Sequence, residues 1–115
     1  VPEILPHPNA YCGFIKYIKA FGQPRLEDTI HKITGVTAQW LGMEKRGTLK
    51  EGNFADVVVF DEKTLEPNEN HIEPRQKPKG IRFVFVNGKL TVQDGEHTGA
   101  RSGAVLRFNK KELFR

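Results

Sequence analysis

The chain reads as an α+β protein, with helices first and strands after them. Two observations carry that prediction. Apolar residues recur at helical spacing only within residues 10–43, and from Ala55 onward they form a valine-rich run and an alternating run. Asn87-Gly88, at the end of the alternating run, adds the signature of a tight hairpin.

The elements follow in order. Val1-Pro2-Glu3-Ile4-Leu5-Pro6-His7-Pro8 holds three prolines that block regular structure, and it reads as linker from the middle of a longer chain. The first residue is valine, so an excised or processed piece is expected, with removal of an initiator methionine as the alternative. A first helix is predicted from about Ala10 to Phe21, with Phe14, Tyr17, Ile18 and Phe21 as its apolar stripe. Gly22 is expected to end it in the left-handed conformation that glycine adopts without strain. A second helix is predicted to begin near Pro24, which suits a first turn, and Glu27 and Asp28 complement the positive end of its dipole. Leu26, Ile30 and Ile33 form its stripe, and Gly35 interrupts it. A short helix from about Thr37 then presents Trp40 and Leu41 before Gly42 stops it.

Beyond Arg46 the pattern changes. Residues 47–52 predict a turn, a short strand and a turn. Ala55 to Asp61 is nearly continuous in apolar residues and rich in valine, as expected of a strand covered on both faces. Residues 62–80 read as a long surface loop. Ile81, Phe83 and Phe85 alternate with Arg82, Val84 and Val86, and Asn87-Gly88 makes a type I′ turn into Lys89-Leu90-Thr91-Val92. Residues 95–103 are predicted to be irregular. Val105 to Phe108 is read as a last short strand, and Asn109 to Arg115 as a solvated tail. Three or four strands cannot close a barrel or cover both faces of a sheet, so the valine strand needs neighbours from elsewhere.

Composition excludes several functions. The net charge of +4 comes from 18 basic and 14 acidic residues that are interspersed, which describes a solvated surface rather than a nucleic-acid footprint. No apolar run approaches the ~20 residues that span a bilayer, so no membrane partner is expected. A single cysteine excludes an internal disulfide and suits a reducing cytoplasm.

The chemistry-bearing residues are sparse. His7, His31, His71 and His97 make no tight pair, and none stands at a ligand spacing from Cys12. No metal ligand and no catalytic residue is assigned within the chain. His31 is expected on a helix surface, His71 and His97 in loops, and Cys12 as a half-buried packing residue. Asp56 is read as an acceptor of backbone hydrogen bonds in its own turn. Gly99 to Gly103 is read as a structural turn rather than an anion site. One reading of such a chain is a self-contained, small, basic interaction module.

The motifs support another reading. His7-Pro8-Asn9-Ala10-Tyr11, Leu26 to Thr34, Ala38-Gln39-Trp40-Leu41-Gly42, Arg46-Gly47, Gly52, Ala55 to Asp61, Pro78 with Gly80-Ile81, Val86-Asn87-Gly88 and Gly95 to Arg101 occur in one order. Together they resemble the carboxy-terminal end of the amidohydrolases, and within them the N-acyl-D-amino-acid deacylases, over about residues 5–107. The Gly95-Glu96-His97-Thr98-Gly99-Ala100-Arg101 stretch argues against the alternative, a hydantoinase or dihydroorotase-like relative.

The resemblance implies a (β/α)8 barrel that binds zinc, a barrel aspartate as general acid/base, and hydrolysis of the amide of an N-acyl-D-amino acid. All of these residues would lie upstream of Val1. Zinc is therefore expected in the complete enzyme and no cofactor in this chain, which alone would be inactive. The upstream barrel portion would be its partner, with self-association through strand edges as a second possibility. Residues 1–43 would be linker and terminal barrel helices, 44–108 part of a composite β-sandwich, and 109–115 the tail. The family's His-Pro-Arg stretch approaches the substrate end of the barrel. Here it is His7-Pro8-Asn9, with asparagine in place of arginine, and where the family continues Tyr-Gly-Thr-Phe-Pro-Arg this chain has Tyr11-Cys12-Gly13-Phe14-Ile15-Lys16. His7 and Tyr11 are the substrate-proximal candidates.

Overall fold

The computed structural model describes residues 4–107. Helix α1 spans Asn9–Phe21, but its buried residues are Cys12 and Ile18. Phe14 and Phe21, half of the predicted stripe, are 71% and 62% exposed. The stripe exists in sequence, but the described residues leave its aromatic part uncovered. Gly22 does follow the helix, yet at φ −69° it is right-handed and not a left-handed cap. Glycine is required there by space instead, because a Cβ would stand 2.5 Å from the Ile18 carbonyl oxygen.

Helix α2 spans Leu26–His31, so Pro24 precedes the first turn rather than occupying it. The buried Thr29 hydroxyl donates to the Phe21 carbonyl at 2.7 Å and ties α2 to the end of α1. Gly35 does not break the helix. A π-helical turn over Lys32–Val36 carries the chain into α3, Thr37–Trp40, and the Thr37 hydroxyl donates five residues back to the Lys32 carbonyl at 2.9 Å. The chain then leaves α3 and returns against it. Gly47, at φ +82°, lies where a Cβ would meet the Ala38 Cβ at 2.6 Å, so only glycine allows this close return.

The strands form one antiparallel sheet in the order β1-β2-β3-β4, built from Val57–Phe60, Ile81–Val86, Lys89–Gln93 and Glu96–His97. Val58 pairs with Val84 and Val59 with Phe83 across β1 and β2, and Val84 with Val92 across β2 and β3. Asn87 and Gly88, at φ 49° and 80°, form the predicted hairpin turn. Asp94 and Gly95, at 48° and 83°, form a second one, which makes β4 a strand in a stretch predicted to be irregular. His97 thus belongs to a strand rather than a loop.

Two strand expectations fail. No strand forms within residues 47–52, and Val105 to Arg107 are coil, with Phe108 and the tail outside the described residues. Strand β1 lies at a sheet edge, with Val58 53% and Val59 43% exposed, so the described residues do not cover both of its faces. The 62–80 connection is a surface loop as expected, but it is anchored. Leu65 is fully buried, and the backbones of Glu66 and Lys79 exchange hydrogen bonds of 3.1 and 2.8 Å.

Among the described residues the buried apolar side chains are Cys12, Ile18, Ala38 and Leu65, with Pro8 and Pro74 in the loops. The accessible surface is 9298 Å², against ~6,400 Å² for a compact monomer of this mass. The radius of gyration is 15.8 Å, against ~13 Å for a compact domain of this length. Among the described residues the helices and the sheet share no core large enough for both. Among the described residues no helix is long and apolar enough to cross a membrane.

Candidate functional site

His7 lies just before α1, between Pro6 and Pro8. Its Nδ1 accepts the Asn9 backbone N–H at 3.1 Å, which closes the turn into the helix and leaves Nε2 as the ring's outward polar atom. The His7 ring meets the His71 ring edge-on, with centroids 5.5 Å apart and planes at 88°. His71 Nε2 lies 3.2 Å from Glu69 Oε1, and the same oxygen accepts from Lys16 Nζ of α1 at 2.8 Å. The Lys16 hydrogen bond, with a smaller contribution from His71, holds the Glu69 carboxyl below its ordinary value. The structure therefore brings together His7, Lys16, Glu69 and His71. Tyr11, the second candidate, is 42% exposed on α1 and makes no hydrogen bond or ring contact with this cluster among the described residues. Cys12 is fully rather than half buried, and its thiol donates to the Pro8 carbonyl at 3.3 Å.

A second polar cluster joins the helices to the sheet. Arg46 forms an ion pair with Asp56, donates to Asn87 Oδ1 at 2.9 Å, and stacks its guanidinium 4.2 Å from the centroid of the Phe54 ring. Asp56 Oδ1 accepts the Asn87 backbone N–H at 2.8 Å, and Asn87 Nδ2 donates to the Ser102 carbonyl at 2.7 Å. Asp56 has the structural role expected of it, but its partners lie across the hairpin rather than in its own turn. Sequence reasoning missed Arg46 and Asn87 as a pair, since 41 residues separate them. The Gly99 turn is also occupied internally, with the Gly99 N–H donated to His97 Nδ1 at 2.8 Å.

Between the helices and the sheet lies an open apolar cavity of about 390 Å³, lined by Phe14, Ile18, Ile30, Ile33, Val57, Val58 and Phe60 among others. Among the described residues no group of three or more His, Cys, Asp or Glu side chains could hold a metal ion. The described residues therefore do not fit a metal site. The geometry offers surfaces for packing and one polar cluster at the His7 end.

Comparison with known proteins gives this arrangement its class. The profile of the amidohydrolase family matches residues 22–92, and the chain belongs to that family. It is similar to the D-aminoacylase of Alcaligenes xylosoxydans xylosoxydans, with 37% identity over 88% of this chain and 22% of that protein. It is also similar to the N-acyl-D-aspartate deacylase of the same organism, at 39% over 88% of this chain and 21% of that protein. A dihydroorotase of Lactobacillus delbrueckii matches at 33% over 75% of this chain. Among solved structures, a D-aminoacylase variant in complex with copper(II) chloride superposes with a TM-score of 0.82 at 33% identity, over 88% of this chain and 22% of that one. A D-aminoacylase studied for its binuclear metal center, with activation by one metal and attenuation by the second, superposes with a TM-score of 0.80 at 32% identity over 85% of this chain. The chain thus spans about a fifth of the length of the relatives it matches.

Proposed function

We propose that this chain is the carboxy-terminal part of a zinc-dependent amidohydrolase that hydrolyses N-acyl-D-amino acids, and that the metal ligands and the acid/base lie outside it. Residues 1–43 serve as linker and terminal barrel helices, 44–108 as part of a composite β-sandwich, and 109–115 as a tail. His7 and Tyr11 lie toward the substrate end. The upstream barrel portion covers the apolar cavity and the exposed faces of α1 and β1. A single free cysteine is consistent with a cytoplasmic setting.

The observation that carries the deacylase reading is the reach of the similarity. It extends over 88% of the chain for the two deacylases, against 75% at lower identity for the dihydroorotase. The uncovered apolar surface supports a contributing part over a self-contained interaction module.

The test is assembly. Expressed with the upstream portion encoded ahead of it, the chain is expected to form a zinc-containing complex that hydrolyses N-acyl-D-amino acids, leaves their L enantiomers intact and ignores dihydroorotate. Stoichiometric zinc or deacylase activity in the chain alone would overturn the placement of the chemistry. Dihydroorotate turnover by the complex would favour the other branch of the family.

A further inference from the structure

We infer that the loop between β1 and β2 is a positioning element for His7, with Glu69 gripped by Lys16, His71 set by Glu69, and the His71 ring set edge-on against His7. This rests on the deacylase reading, which places His7 toward the substrate.

The geometry runs as a chain of contacts. Lys16 of α1 reaches Glu69 at 2.8 Å, the same carboxylate oxygen meets His71 Nε2 at 3.2 Å, and the His71 ring lies 5.5 Å from that of His7. Each link is partly exposed, and an isolated exposed pair would hold little. The loop, however, is ordered by other means. Leu65 and Pro74 are buried, Glu66 and Lys79 pair through their backbones, and the Asn68 amide donates to the Lys77 carbonyl at 2.9 Å. The entropy of fixing the loop is therefore not charged to the histidine contact. His7 itself is pre-restricted, since Pro8 limits its backbone and the Asn9 N–H occupies Nδ1. The Asn9 hydrogen bond sets the ring's rotation, and the perpendicular His71 ring packed against it opposes departure from that setting. With Nδ1 taken by the Asn9 N–H, Nε2 is the ring nitrogen left to meet a bound ligand.

The experiment uses the chain assembled with its upstream portion. One readout is the His7 ring resonances in long-range nitrogen–proton spectra, and the other is KM and kcat for an N-acyl-D-amino acid. His71→Ala is expected to shift the His7 resonances and raise KM about three- to tenfold, with a smaller change in kcat. His71→Phe, which keeps a ring but loses the Glu69 contact, is expected to restore only part of the KM. Unmoved His7 resonances in His71→Ala overturn the inference whatever the activity. So do moved resonances with an unchanged KM in an active assembly. An inactive wild-type assembly sinks the deacylase reading and the substrate role of His7 with it, while moved resonances would still establish the His71–His7 contact.

Discussion

Asp56 uses both carboxylate oxygens to hold other parts of the chain, one for Arg46 and one for the Asn87 backbone. Asp56→Ala is expected to lower stability by about 1–2 kcal/mol, the range for a hydrogen-bonded charge discounted for partial exposure. Asp56→Asn, which keeps an acceptor for Asn87, is expected to lose less. Urea unfolding of the assembled protein measures both. Gly80 offers a sharper contrast. It sits at φ +91°, and a Cβ there would stand 2.6 Å from the Leu65 Cα, on backbone that cannot yield cheaply. Gly80→Ala is expected to cost more than ~2 kcal/mol, combining left-handed strain with overpacking. Gly42→Ala, at φ +65° with open space around it, is expected to cost only about 1 kcal/mol. Equal losses at the two sites would refute the steric part of this account. The glycines themselves are visible in the sequence, but which of them face backbone is not.

At the scale of elements, the two hairpins follow from turn chemistry. Asn87-Gly88 and Asp94-Gly95 both hold positive φ, which Asn, Asp and Gly tolerate, but only the first was read as a hairpin from the sequence, and β4 fell in a stretch read as irregular. The helices were legible in position, but their ends were not. Continuation past Gly35 depends on a π turn supported by Thr37, which no apolar period announces. Strand β1 was legible as a valine run, yet its exposure depends on what packs against it. A sheet edge with bare valines invites pairing with another chain. The isolated chain is therefore expected to self-associate with rising concentration in sedimentation velocity. Val59→Lys should shift it toward monomer, and an unchanged profile would show that β1 is not the contact.

For the whole molecule the governing fact is surface. An excess of accessible area over a compact monomer, with few buried apolar side chains among the described residues, describes elements formed without a full core. The isolated chain is expected to bind an apolar fluorescent dye strongly and to lose that binding when joined to its upstream portion. Weak dye binding by the isolated chain would mean that it covers its own faces.

Sequence alone determined the α+β order, the β2-β3 hairpin and the family, because period, turn residues and ordered motifs are local properties that survive without a fold. Tertiary structure alone decided that Arg46 meets Asp56 and Asn87, that His7 meets His71, and that β1 and the aromatic face of α1 remain bare. Those outcomes depend on how distant segments close on one another, and no spacing along the chain encodes that closure.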